Sequence, residues 1–213
     1  MLCKNAITRG WIYNTYKRLF DVTISGISLL LLSPLFVLIA VIIKIEDGGD
    51  ILHKRICVGK NNKVFVMYKF RSMCSDADNI EKYFHGEELE KFLRGDKTIN
   101  DPRITRVGKF LRQTSIDELP QLFSVFSGNM SLVGSRPVIE REAAFYGVMR
   151  DYLLSIRPGI TGWWQINGRD NIPYLSDEAK ALQLYYVFNR NIMLDIKILA
   201  KTVLIVLKRE AAR

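Results

Sequence analysis

Two adjacent carboxylates, Asp117 and Glu118, follow a basic stretch in which Arg103, Arg106, Lys109 and Arg112 recur every three residues. On a helix this spacing makes a slowly drifting basic stripe, with Ile104, Val107, Phe110 and Leu111 largely on the remaining surface. Such charges usually form a solvated face. Arginine also presents a planar fork of donors that matches phosphate oxygens, so the stripe could equally cradle phosphates. The acid pair admits three roles: nucleophile with base, metal ligands, or helix caps. Ser115-x-x-Glu118 has the spacing of a capping box. Asp117 could itself be the N-cap, with Pro120 at the third helical position, where a missing N–H costs little. Capping and chemistry are compatible, because an acid at a helix N-terminus stays ionised and favours an approaching phosphate.

These residues need elements to hold them. Residues 51–58 and 64–73, joined by Gly59-Lys60-Asn61-Asn62, read as a hairpin that ends in the basic cluster Tyr68-Lys69-Phe70-Arg71. Residues 75–93 are highly charged and read as an exposed helix, or a helical pair broken near Gly86. Asp101-Pro102 is expected to start a helix reaching about Gln113, with proline at its first position. A second helix is expected from Ser115 to near Gly128. A short buried strand at 131–133 leads to Gly134 and Arg136-Pro137, at a strand C-terminus where α/β folds often bind ligands. Residues 140–154 read as a helix, stopped by Pro158-Gly159. Residues 160–166 read as extended, and Ser176-Asp177 caps another helix. Gly-rich bends, including Asn167-Gly168-Arg169, surround Trp163 and Trp164, which suit either a core or a base-stacking platform.

Residues 22–43 carry no charge. About 22 residues make a helix of roughly 33 Å, the thickness of a bilayer core. The run is too long for a signal-peptide core, and no small-x-small cleavage site follows it. Ser33-Pro34 lies in its middle, where proline disturbs the bond to Leu30 and the Ser33 hydroxyl could satisfy the freed carbonyl. Either a kinked spanning helix or a re-entrant hairpin of two half-helices fits. Both flanks are basic, with Lys4, Arg9, Lys17 and Arg18 before and Lys44, Lys54, Arg55, Lys60 and Lys63 after. That is expected where both lie on one side of the membrane. Residues 194–209 are apolar with interspersed lysines, suiting an amphipathic helix in the headgroup layer or a terminal helix on the core.

The chain of 213 residues, with net charge +9, suits one domain and anionic partners: nucleic acid, acidic lipids or phosphorylated substrates. Cys3, Cys57 and Cys74 form no CxxC pair and point to a reducing compartment. His53 and His85 match no zinc motif. A short D-x-D pattern, Asp76-Ala77-Asp78, allows a metal-dependent glycosyltransferase, and the charge alone allows a non-catalytic, membrane-tethered basic binding module.

The chain resembles the bacterial sugar transferases, the monotopic phosphoglycosyl transferases acting on polyprenyl phosphate. The resemblance rests on Lys17-Arg18-x-Phe20-Asp21, Ser33-Pro34, Tyr68-Lys69-Phe70-Arg71-Ser72-Met73 and Arg106-x-Gly108-x-Phe110-Leu111-Arg112. It continues through Asp117-Glu118-Leu119-Pro120-Gln121-Leu122, Gly128-x-Met130-Ser131-Leu132-Val133-Gly134-x-Arg136-Pro137 and Arg157-Pro158-Gly159-x-Thr161-Gly162. It covers about residues 14–210. Ser135 departs from the family's proline in G-P-R-P, which is expected to loosen the loop presenting Arg136. The resemblance implies an α/β fold of mixed α+β type. Residues 1–48 would hold a re-entrant membrane helix turned at Ser33-Pro34. Residues 49–213 would form a helix-rich cytoplasmic catalytic domain with short strands and an interfacial amphipathic helix. It implies transfer of a sugar phosphate from a UDP-sugar to polyprenyl phosphate, with UMP released. Asp117 would be the nucleophile, Glu118 its helper, and both would hold Mg²⁺. Arg112 and Arg136 match phosphate-binding positions, and Lys69, Arg71 and Arg169 join them as candidates on charge. The expected partners are the UDP-sugar, polyprenyl phosphate, membrane lipids and a second copy in a homodimer, with no nucleic acid. The expected location is the cytoplasmic face of the cell membrane.

Overall fold

A computed structural model of the chain describes residues 10–93, 101–168 and 171–207. Its dominant element is α1, Trp11–Asp47, which contains the whole uncharged run and continues through Pro34. The Ser33 hydroxyl donates to the Leu30 carbonyl at 2.8 Å. That carbonyl is the one a proline at 34 leaves without its usual amide donor, so the serine compensates locally. Leu30, Leu31, Val37, Leu38, Val41 and Ile42 are exposed, while Asp21, Ser25, Ile39 and Ile43 are buried. The helix ends at Gly48, whose left-handed conformation (φ 72°) and bond to Lys44 form the C-cap.

Both ends of α1 are fastened to the rest of the molecule. Near the N-terminal end, the Arg18 guanidinium donates to the Val125 and Phe126 carbonyls at 2.6 and 2.8 Å. The Asp21 carboxylate accepts from the Leu132 amide at 3.0 Å. At the other end, Glu46 accepts from the Val107 amide at 3.1 Å, and Asp47 accepts from Ser75 N at 3.0 Å and pairs with Arg71. Between these anchors, Phe36 meets Phe70 edge-on, with ring centroids 5.6 Å apart.

The expected hairpin is present: β1, Leu52–Val58, pairs antiparallel with β2, Val64–Phe70. The charged stretch is a helical pair, α2 (Ile80–Tyr83) and α3 (Gly86–Leu93), parted before Gly86. The helix expected from Asp101 starts later. The Asp101 carboxylate accepts from the Arg103 amide and guanidinium at 3.0 and 2.6 Å, closing a tight local turn. Thr105 is the N-cap of α4, Arg106–Gln113, its hydroxyl accepting from Gly108 N at 2.8 Å. Arg103 therefore lies outside the helical stripe. Gly108 lets α4 sit against β2's exit, since a Cβ there would come within 2.0 Å of the Ser72 carbonyl.

Residues 115–126 do not form one capped helix. Ser115 is left-handed (φ 56°), Ile116–Glu118 is a single 3₁₀ turn, and α5, Gln121–Phe126, begins only after Pro120. A capping serine must be extended to reach the amide three residues on. Ser115 is not, and its hydroxyl makes no hydrogen bond among the described residues. Beyond α5, the buried β3 (Ser131–Val133) runs parallel to β4, Gly159–Thr161. The expected helix over 140–154 is split into α6 (Glu140–Ala144), a 3₁₀ turn and α7 (Arg150–Leu153) at the left-handed Gly147 (φ 52°). The segment expected to stay extended to 166 turns after β4 into α8, Trp163–Asn167. Ser176 caps α9, Asp177–Asn189, as expected, and α10 is Ile192–Leu207. On α10, Lys197 lies over the Trp163 ring and Lys201 donates to Asn167 at 2.9 Å, whereas Ile196, Val203, Leu204 and Leu207 are exposed.

Candidate active site

The acid pair sits on the 3₁₀ turn between α4 and α5, beside β2. Asp117 is buried, only 9% exposed, and Glu118 is half-buried. Glu118 accepts from Lys69 Nζ at 2.7 Å, a pair that joins the end of β2 to the turn. The preceding Ser115 holds a backbone conformation that costs a non-glycine residue energy, of the kind often found beside functional groups.

Glu118 lines two spaces that meet at Ile160 and Gln165. One is a narrow polar slot whose cations are Arg55, Lys69 and Arg136, with Gln121 and Gln165 as amide donors and acceptors. Arg136 is held from behind: its guanidinium lies 4.7 Å from the centroid of the Tyr174 ring and 5.4 Å from that of Trp164. Its own amide donates to Gln183 at 2.6 Å. Arg136 Nε is buried and makes no hydrogen bond among the described residues. The other space is a cleft of about 590 Å³ with a largely apolar wall, including Leu119, Leu122, Leu132, Leu199 and Ile205. Ser115, Asn167 and Lys201 add polar groups to it.

The candidate residues thus separate. Lys69 and Arg136 converge on Glu118. Arg112 instead donates to the Ser72 hydroxyl at 2.8 Å, and Arg71 is engaged by Asp47 at the end of α1. Neither lines the two spaces around Glu118. Arg169 lies outside the described residues. The loop of Ser135 is tied by backbone pairing. Ser135 bridges to Pro158, its carbonyl accepts from Gly159 N at 2.7 Å, and Gly134 N donates to Thr161 at 2.9 Å. Gln165, Gln183, Arg55 and Tyr174 were not legible as site residues, because isolated glutamines and a strand arginine carry no spacing signal. Trp164, by contrast, is buried as the wall behind Arg136.

Among the described residues, no group of three or more acidic, histidine or cysteine side chains gathers to hold a metal. The two carboxylates still supply hard oxygen donors, which suit Mg²⁺ when a substrate's phosphate oxygens and water complete the shell. The D-x-D pattern is otherwise engaged: Asp76 pairs with Lys82 and accepts from Tyr83 within its own turn.

The sequence profile of the bacterial sugar transferases matches residues 12–209. The exopolysaccharide production protein ExoY of Sinorhizobium fredii is 40% identical over 190 residues, 88% of this chain and 83% of that protein. The undecaprenyl-phosphate galactose phosphotransferase of Salmonella typhimurium is 40% identical over 199 residues, 92% of this chain but 41% of its own. The UDP-glucose:undecaprenyl-phosphate glucose-1-phosphate transferase of Klebsiella pneumoniae is 37% identical over 194 residues, 88% of this chain and 39% of its own. The chain therefore spans most of ExoY and about two fifths of the named phosphotransferases. With a matched profile over nearly its whole length, the chain belongs to the bacterial sugar transferase family.

Proposed function

We propose that the protein moves a sugar phosphate from a UDP-sugar to polyprenyl phosphate through a covalent intermediate on Asp117. The observation that carries this reading is the position of Glu118, on the turn it shares with the buried Asp117, where a cationic slot meets an apolar-walled cleft. The cations of the first suit phosphate oxygens, and the apolar wall of the second suits a lipid-linked acceptor.

An Asp117 carboxylate oxygen attacks the sugar-bearing phosphorus. The bond from that phosphorus to the bridging oxygen breaks, and UMP leaves with the electron pair. An oxygen of polyprenyl phosphate then attacks the same phosphorus, and the Asp117 carboxylate is expelled unchanged. Such covalent catalysis divides one difficult transfer into two steps. The acyl phosphate formed in between is prone to hydrolysis, and the burial of Asp117 keeps water from it. Arg136 and Lys69 offset phosphate charge, and Arg136 is pre-oriented by the rings behind it. Mg²⁺ held by Asp117, Glu118 and the diphosphate would reduce the repulsion between carboxylate and phosphate.

The membrane part of the proposal is a re-entrant α1 with the catalytic domain on the cytoplasmic face. A straight 37-residue helix is about 55 Å long and would set its ends on opposite sides of a bilayer. Here polar groups at both ends bond to one domain, which supports a shared side. The exposed apolar residues of α10 would rest in the same interface.

Purified protein is to be incubated with Mg²⁺, polyprenyl phosphate and a panel of UDP-sugars. UMP release is expected, with an adduct on Asp117 in the intact mass. Asp117→Asn should lower turnover by about 10³-fold or more. Release of UDP, or full activity in Asp117→Asn, contradicts the scheme.

A further inference from the structure

A second cavity, of about 320 Å³, lies away from Glu118. The strand β3 separates the two sites. Successive strand residues face opposite sides of a sheet; Leu132 lines the Glu118 cleft, while Ser131 and Val133 line the second cavity. None of the cavity's lining residues is shared with the spaces around Glu118.

The charge in this cavity is unbalanced. Lys17, Lys60, Arg157 and Arg190 line it, against Asp21 as the carboxylate in the wall. Lys17 is already neutralised by Asp195, 2.8 Å away. Asp21 accepts from the Leu132 amide and keeps its charge, which offsets part of that of Arg157. Arg157 and Arg190 are fixed by carbonyls, Gly128 and Val187 respectively, each at 2.7 Å. Carbonyls orient a guanidinium without cancelling its charge. The Lys60 ammonium makes no ion pair or hydrogen bond among the described residues. Its position is imposed by a tight turn with two left-handed asparagines, Asn61 and Asn62, and Asn61 N donates to Leu154 O at 2.7 Å. Burial and the neighbouring Arg157 and Arg190 push the Lys60 ammonium below its ordinary pKa. Burial and Arg18 do the same to Arg157. Cations driven together in a half-buried space repel one another unless an anion joins them.

We infer that the cavity between the start of α1, the β1–β2 turn and the start of β3 is an anion site that binds a phosphate group through Lys60, Arg157 and Arg190. A lining with more cations than carboxylates suits a phosphate, and the Ser131 hydroxyl and Asn14 amide offer further hydrogen bonds. Lys17 and Asp21 lie just before the uncharged run begins, so the cavity opens where α1 would enter the lipid. The same chemistry is available from a phospholipid headgroup and from soluble phosphate. In either case, occupancy would tie the hairpin turn to the strand that ends before Arg136.

The test is thermal unfolding of the full chain in a neutral, phosphate-free detergent. It is titrated with short-chain phosphatidylglycerol, inorganic phosphate or short-chain diacylglycerol. Saturable stabilisation by either phosphate compound and none by diacylglycerol is expected. Phosphatidylglycerol alone identifies a headgroup site, and inorganic phosphate acting as well identifies a site for free phosphate. Lys60→Gln should weaken the response at least tenfold. Its ligand-free midpoint should equal or exceed that of the wild type, because one repelling charge is gone. Arg136→Ala should keep the response, which separates this site from the slot beside Glu118. No saturable response to either phosphate compound, or an unchanged response in Lys60→Gln, overturns the inference. No sugar nucleotide is present, so the outcome is independent of the transfer reaction.

Discussion

Lys69 shows how a residue with weak sequence credentials becomes central. In the sequence it is one of several basic residues ending a strand; in the fold it holds Glu118 at 2.7 Å. Removing it takes away the ammonium that pairs with Glu118 and deletes a cation from the slot. Lys69→Met should lower kcat/KM for UMP release about 10–100-fold, or about 1.4–2.7 kcal/mol, and Lys69→Arg should keep most of the activity. Equal rates for Lys69→Met and wild type would remove Lys69 from the site. Ser115 makes a different demand, on backbone. At φ 56° a β-branched residue is far more strained than serine. Ser115→Val should destabilise the fold by roughly 1–3 kcal/mol in chemical denaturation and lower activity by displacing the turn that carries the acids. A stability change near zero would mean the turn relaxes without cost.

At the scale of elements, short local bonds decided where helices begin. The Asp101-Pro102 dipeptide has the composition of a helix start, yet Asp101 closes on Arg103 and leaves the N-cap to Thr105. Hydrogen bonds from Arg103 hold the Asp101 carboxyl below its usual pKa. A carboxyl lowered in the folded state stabilises fully above its unfolded pKa near 4, and this stabilisation fades as the pH falls below that value. Asp101→Asn should therefore cost about 1–2 kcal/mol at pH 7 and distinctly less at pH 3, as read from unfolding curves at the two pH values. A loss that does not change with pH would show that the turn depends on shape and not on charge. The hairpin β1–β2 and the pair α2–α3 were legible because alternation and charge agree with local geometry there. The split of 140–154 was not, because a single left-handed glycine at 147 interrupts an otherwise helical pattern.

For the whole molecule the decisive element is α1, anchored near both ends to the rest of the described residues while one face of its middle stays exposed and apolar. With native cysteines replaced, single cysteines at Asn14 and Asn62 should label from the same, cytoplasmic side of intact cells or oriented vesicles. Labelling from opposite sides would rule out a re-entrant helix. Sequence alone sufficed for the long apolar helix, the mixed fold class, the hairpin and the short buried strand at 131–133. All of these depend on local composition and period. Tertiary structure alone decided which cations reach the acids. It brings Lys69 and Arg136 to Glu118, directs Arg112 to Ser72 and Arg71 to Asp47, and gathers Lys60, Arg157 and Arg190 around a separate cavity. The physical reason is that a charge carries no address along the chain. Its partner is set by which elements pack together, and that packing follows from apolar contacts among residues far apart in sequence.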